Sequence, residues 1–304
     1  MFVINPDPYS LPSYRIGPFR TIDLSRNHLL PARDDIEEYL LSRFSGKRYF
    51  YTENGRKALN IALKQFNLKP GDVVSVFTTT NNFYISGCVT REIEKFCKWS
   101  RRMERDTKLI LVNHEFGHPS KEMDKLKSYG LPIIEDCAHA FFSRDPLSET
   151  GRTGDFAVYS FPKMFPIQIG GLLVCNKNLK IQDHLLDEKR LRYIRNVLSH
   201  YIGYSEEIIN QRIFNYNYLK RKFESIGFSE RFLIEEGTVP GVFMFKTKKN
   251  KIDFDQLKLY YYAHGVQCSV FYGEEAFFIP VHQALSTSDM DYFFEIMKSF
   301  TEKQ

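Results

Sequence analysis

A series of short apolar runs separated by helical patterning between residues 49 and 175 constrains the fold more than any other feature of the chain. Residues 108–112 (KLILV), 131–134 (LPII) and 156–159 (FAVY) have the length and content of buried strands. Strands that alternate with helices pack as a largely parallel sheet with right-handed crossovers, covered by helices on its faces. The expected class is therefore α/β.

Two of these runs end in residues that are costly to bury. Glu135 and Asp136 follow the 131–134 run, and Ser160 and then Lys163 follow the 156–159 run. In a parallel α/β sheet, side chains at the carboxyl ends of strands point into the crevice where ligands bind. An acid and a lysine at two strand ends suit a pyridoxal 5'-phosphate (PLP) site. The lysine amine condenses with the cofactor aldehyde, and the carboxylate keeps the pyridine nitrogen protonated so that the ring accepts electrons. Taken singly, Asp136 could cap a following helix and Lys163 could be one of many solvated lysines. The order of the parts favours the site.

The segments IIEDCAHA (133–140) and GDFAVYSF (154–161), then Lys163 followed seven and eight residues later by Gly170-Gly171, resemble the sugar-nucleotide aminotransferases of the DegT/StrS type. The resemblance implies a PLP-dependent transferase of fold type I, with a mainly parallel sheet flanked by helices and a smaller C-terminal α/β domain. It divides the chain into an N-terminal arm and large domain over 1–204 and a small domain over 205–304. It also implies roles: Asp136 pairs with the pyridine nitrogen, His139 lies near the phenolic oxygen, Ser160 bonds the phosphate, and Lys163 holds the cofactor covalently. Only Pro162 separates Ser160-Phe161 from Lys163, where the family has three residues, and Ile169 stands where an acid often precedes the glycine pair.

Upstream, residues 49–52 read as a strand, Asn54-Gly55 as a turn and 56–66 as a helix with Ala58, Leu59, Ala62 and Leu63 on one face. A glycine turn entering a helix presents backbone N–H groups at the positive end of the helix dipole, an arrangement that binds phosphate. Asn54, Gly55 and Arg56 fall on the family's S-G-T positions, with the charge of Arg56 replacing a small hydroxylated residue. After the strand at 73–77 the family places a ring that stacks on the cofactor. Here Asn81 holds that register, and Phe83 is taken as the stacking residue, with Tyr84 or a core role as alternatives. His114, in a segment like the family's H-x-x-G, either contacts cofactor or substrate or is structural.

A short helix is expected over 120–129, a charged helical stretch over 177–202 and a long amphipathic helix over 205–226 ending at Gly227. The family's G-x-N-x-R segment, which reaches the neighbouring subunit's phosphate, is missing; HYIGYSEE (200–207) stands in its place. Residues 1–34 read as an extended arm with a short strand or two. From 241 onward VFMFKT, DFDQLKLYYYAHG and VQCSVFY (266–272) read as strand, helix and strand, and with the closing 276–300 stretch they resemble the family's small domain. Tyr272 to Glu275 replace a longer substrate loop, which makes Tyr272 a substrate-binding candidate.

Composition bounds the alternatives. There is no run of eighteen apolar residues, and the first residues lack a basic region followed by an apolar core, so neither a membrane helix nor a secretory signal is expected. Five scattered cysteines without a C-x-x-C pair argue against disulfides or zinc and for a cytoplasmic setting. His114 and His118 are four apart, but Gly117 and Pro119 break any helix that would align them, so no metal is expected. The net charge of +5 reads as solubility or as an anion-binding surface. The basic stretches 98–105 and 246–251 lack a series of interleaved aromatics, so nucleic acid is not an expected partner.

The resemblance thus implies a homodimeric PLP-dependent aminotransferase. It would convert a nucleotide-linked keto sugar to an amino sugar, with glutamate as amino donor, for surface polysaccharide or glycoside synthesis. A deoxysugar dehydratase or isomerase is the alternative with chemistry, but the related dehydratases replace the lysine by histidine. A non-catalytic protein of the same fold would explain Arg56, Asn81 and the shortened loops, but not the retained Asp136, His139, Ser160 and Lys163.

Overall fold

Asp136 and Lys163 owe their positions to a seven-stranded sheet. The computed structural model describes residues 12–147, 149–176, 181, 186–247 and 252–302. It divides into two compact units, one of residues 19–205 with 236–238, the other of 1–18, 206–235 and 239–304.

In the first unit the elements run α1 (Ile22–His28), α2 (Asp35–Arg43), β1 (Lys47–Thr52), α3 (Gly55–Lys64), β2 (Val73–Thr78), α4 (Gly87–Ile93), β3 (Lys98–Ser100), β4 (Thr107–Asn113), α5 (Met123–Lys127), β5 (Ile133–Asp136), β6 (Phe156–Ser160), β7 (Gly171–Asn176) and α6 (Glu188–Ile202). The strand order is β1-β7-β6-β5-β4-β2-β3. β7 is antiparallel to both neighbours, and the pairs from β6 through β5, β4 and β2 to β3 are parallel. The expected mainly parallel sheet flanked by helices is thereby borne out.

Leu109 to Val112 of β4 are fully buried, as are Ile134 of β5 and Leu172 and Leu173 of β7. Each such side chain contributes about 1.5–3 kcal/mol by leaving water. Successive residues alternate between faces. Ile134, Phe156, Val158 and Leu173 pack with Ala58, Leu59 and Ala62 of α3 on one face, whereas Ile110, Val112 and Ile133 pack with Leu126 of α5 on the other. The same alternation puts Asp136 and Ser160 on the α3 face and Glu135 and Tyr159 on the opposite face.

Residues 22–28, expected as part of an extended arm, form α1 instead. Its buried residues are the polar Asp23 and Asn27. Asp23 accepts from the Arg20 N–H at 2.7 Å and Asn27 donates to the Pro166 carbonyl at 2.8 Å. A helix held by polar contacts has no apolar period to read.

The second unit contains α7 (Ser205–Glu224), β8 (Phe228–Glu230), β9 (Val242–Thr247), α8 (Phe254–Ala263), β10 (Ser269–Val270), β11 (Ala276–Pro280) and α9 (Thr287–Thr301). Its sheet runs β10-β11-β9-β8, antiparallel throughout. The strand expected over 266–272 shrinks to two residues, and β11 carries the sheet instead. Tyr14 pairs with Val266, bonding Gly265 and Gln267 on either side, so the start of the described chain is fastened to this unit. Among the described residues no helix is long and apolar enough to cross a membrane.

Candidate active site

A cleft of about 360 Å³ opens on the α3 face at the carboxyl ends of β4, β5 and β6. Asn54, Gly55, Arg56, Cys88, Asn113, Asp136, His139, Ser160 and Lys163 are among the residues that line it. Seven of the residues singled out in the sequence therefore meet in one place.

Asp136 ends β5 and is only 4% exposed. Its Oδ2 accepts from the Asn113 amide at 2.8 Å and its Oδ1 from the Ala138 N–H at 3.1 Å. Burial raises its pKa above the usual carboxylate range, while those two donors, His114 and Lys163 pull it down. The carboxylate is thus oriented from both sides in a partly apolar wall.

Lys163 closes a 3-10 turn, Phe161–Lys163, that follows β6 directly. Pro162 supplies the fixed φ the turn needs. Phe161, Met164, Phe165 and Ile167 are fully buried and anchor the turn. The Met164 and Phe165 N–H groups both return to the Phe161 carbonyl. The shortened connection before the lysine therefore ends in a tight turn that keeps Lys163 in the cleft. Burial lowers the Lys163 pKa, with Cys88 and Asp136 acting in the opposite sense.

The third part is the start of α3. Asn54 caps the helix by accepting from Lys57 N–H at 3.0 Å. The first N–H groups of a helix have no intrahelical partner, and those of Gly55 and Arg56 occupy that position. Gly171 explains the glycine pair. A Cβ there would lie 2.6 Å from the Asn54 carbonyl carbon and 2.8 Å from Gly55 N. Only glycine lets β7 run this close to the start of α3.

A buried carboxylate held by two donors, a lysine with a lowered pKa and a helix N-terminus beside Ser160 fit the ring nitrogen, aldehyde and phosphate of PLP. The fit rests on Asp136 in particular, a 4% exposed acid that lines the cleft and is oriented by two donors, as a carboxylate facing a protonated ring nitrogen would need to be.

Three candidates lie elsewhere. Phe83 is 75% exposed and does not line the cleft. The ring that does approach the cleft wall is Phe116, 5.4 Å from the His139 ring, held at the positive φ of 50°. His114 is buried behind the sheet. Its Nδ1 accepts from Ser120 N–H at 3.0 Å, so Nε2 carries the proton and donates to Glu135 at 2.9 Å. This is a structural arrangement, in place of the contact with cofactor or substrate that the sequence offered as one reading. Tyr272 belongs to the second unit and bonds Asp255 at 3.1 Å.

His114, Glu135 and Cys137 bring potential metal ligands within 4.8 Å of one another. Glu135 Oε1 already accepts from Gly154 N–H at 2.7 Å, and Oε2 from Gly151 N–H at 2.8 Å and from His114. The carboxylate is a staple between β5 and the 151–154 loop.

Asn113, Ala138 and the Ser86–Cys88 approach were missed in the sequence. Asn113 follows the apolar run of β4, and the strand-end rule that selected Asp136 and Lys163 would have found it there.

The fold and the cleft together define the chain as a protein of the PLP-dependent aminotransferase fold. TlmJ, an aminotransferase from Streptoalloteichus hindustanus, superposes with a TM-score of 0.72 at 15% identity, over 91% of this chain and 93% of its own. Residues 97–187 are similar to the DegT/DnrJ/EryC1/StrS aminotransferase family. GDP-perosamine synthase of Escherichia coli O157:H7 is 31% identical over 142 residues, 40% of this chain and 39% of that protein. dTDP-4-amino-4,6-dideoxy-D-glucose transaminase of Shigella dysenteriae is 29% identical over 184 residues, 55% of this chain and 50% of that protein. The chain thus matches half or less of the length of these curated relatives.

Proposed function

We propose that the chain is a PLP-dependent aminotransferase that turns a nucleotide-linked keto sugar into an amino sugar, with glutamate as amino donor. The observation that carries the proposal is the meeting of Asp136, Lys163 and the start of α3 in one cleft. Relatives named for GDP-perosamine and dTDP-amino-sugar formation support the substrate class.

Bound in the cleft, PLP would supply an aldehyde that captures amines and a ring that takes up electrons. The chain's residues do the rest. The N–H groups of Gly55 and Arg56, the Arg56 guanidinium and the Ser160 hydroxyl hold the phosphate. Asp136, oriented by Asn113 and Ala138, holds a proton on the ring nitrogen. Lys163 Nζ carries the cofactor between turnovers and moves the proton at the substrate carbon. Its lowered pKa increases the unprotonated fraction that this task needs. His139 also lines the cleft and would flank the cofactor there. The chain acts as a homodimer in the cytoplasm, where nucleotide sugars and its five free cysteines are both at home.

Incubation with PLP, glutamate and a panel of nucleotide-linked 3-keto and 4-keto deoxysugars should form 2-oxoglutarate and an amino sugar, and Lys163→Ala should form neither. A PLP-loaded protein that yields no 2-oxoglutarate with any of them would overturn the assignment.

A further inference from the structure

On the opposite face of the sheet from the cleft, Tyr39, Ser42, Arg43, Arg144, Thr150 and Arg152 line a second, smaller cavity of about 130 Å³. Three arginines line a space the size of one small ligand, and among the described residues no carboxylate lines it. Nothing in the proposed transamination uses it.

Arg43 forms its floor. The residue is 9% exposed at the end of α2. Its guanidinium donates to the Tyr39 hydroxyl at 3.0 Å and the Ser143 carbonyl at 3.4 Å, and lies over the rings of Phe44, Phe141 and Tyr159 at 5.4–6.0 Å. Among the described residues no carboxylate pairs with it. A nearly buried cation among neutral oxygens and rings leaves its charge uncompensated, and an anion in the cavity would compensate it.

Three of the nearby acids, Asp145, Glu149 and Glu135, are committed elsewhere. Asp145 accepts from the Leu147 and Glu149 N–H groups and from the Thr150 hydroxyl. Glu149 accepts from the Thr153 hydroxyl and lies 4.0 Å from Lys127. Glu135 is the buried staple described above. Arg144 and Arg152 are exposed at the rim, and the Arg152 side chain reaches the Ser45 carbonyl at 3.4 Å. The Thr150 hydroxyl is engaged by Asp145, which leaves the guanidinium groups, Ser42 and the Tyr39 O–H as the recognising donors.

We infer that Arg43, Arg144 and Arg152 form a binding site for a small phosphate-type oxyanion, separate from the cofactor cleft. Planar guanidinium forks suit tetrahedral oxyanions, and a cavity of about 130 Å³ admits one such group but not a nucleotide. The anion is either free phosphate or the terminal group of a small phosphate monoester.

The test is calorimetric titration of the PLP-loaded protein with inorganic phosphate and, separately, with glycerol 3-phosphate, the loaded cofactor blocking the phosphate position at α3. Wild type should bind at least one of the two at a single saturable site, and the tighter of them names the source. The variant Arg144→Gln/Arg152→Gln changes only exposed residues and keeps the fold; it should weaken binding about tenfold or more, the loss of two charge-assisted contacts. Absence of a saturable site for both anions, or equal binding by the arginine double variant, would overturn the inference.

Discussion

Gly171→Ala adds one methyl group at the closest backbone approach beside the cleft, and its consequences follow from three distances. The new Cβ would stand 2.6 Å from the Asn54 carbonyl carbon, 2.8 Å from Gly55 N and 2.8 Å from the Tyr159 carbonyl oxygen. All three are backbone atoms, so no side-chain rotation relieves the contact. β7 is paired on both sides, with Thr52 opposite Gly171 on β1 and Ser160 opposite it on β6, so the strand has nowhere to slide. Overpacking of a pinned site costs about 3 kcal/mol, the upper end of the ordinary range. At about 2 °C per kcal/mol for a chain this long, the apo-protein should melt about 6 °C lower. The displaced atom Gly55 N belongs to the proposed phosphate cradle, so PLP affinity should fall as well, by about tenfold to a hundredfold. Differential scanning calorimetry and a PLP titration measure both effects. Gly203→Ala is the control. Gly203 sits at a φ of −63°, and the nearest atom to an added Cβ is the His200 carbonyl at 3.5 Å. That substitution should be neutral or stabilising by up to about 1 kcal/mol. If Gly171→Ala melts and binds PLP like wild type, the close approach is not what fixes the start of α3.

The buried network and the cleft give three further expectations. Glu135→Gln sets an amide donor against one of the three donors that now converge on the carboxylate, and should cost about 3 kcal/mol in urea unfolding. A loss under about 1 kcal/mol would mean the staple is dispensable. Asn113→Ala removes one of the two donors on Asp136 and should weaken PLP binding about tenfold with little change in melting temperature; unchanged affinity would exclude Asn113 from the site. Burial lowers the Lys163 pKa below 10.5, so between the lowered value and 10.5 the unfolded chain binds more protons and the lysine's contribution to stability rises with pH. Apo Lys163→Met should therefore be more stable than wild type at pH 7, with the gap narrowing towards pH 10. A constant gap would refute the lowered pKa.

The sheet and most of the cleft were legible because each rested on a local rule. Apolar runs such as 108–112 marked strands, and polar residues at strand ends marked the crevice, which placed Asp136, Ser160 and Lys163 correctly in space. Asn54 and Gly55 were legible as a helix entry and form one. What failed depended on tertiary context. α1 is held by the polar contacts of Asp23 and Asn27, which have no hydrophobic period. Phe83 was chosen by counting along a loop, and loop direction is not encoded in residue spacing. Its side chain is exposed, and Phe116 is a ring that packs against His139 of the wall. His114 was a candidate because its segment resembles the family's H-x-x-G, with a structural role as the alternative; Glu135, one residue before Asp136, faces the other side of the sheet and bonds it. The arginine cavity joins α2 to residues about a hundred positions later, a separation no local pattern reveals.

The central claim is that Lys163 is the residue that carries the cofactor. It is tested most directly by adding PLP to the purified protein, reducing with borohydride and mapping the modified peptide by mass spectrometry, with Lys163→Ala alongside. A pyridoxyl adduct on Lys163 alone, with loss of the near-400 nm absorbance on reduction and no adduct in the variant, is the expected result. No adduct under saturating PLP, or equal labelling of the variant on other lysines, would contradict the account.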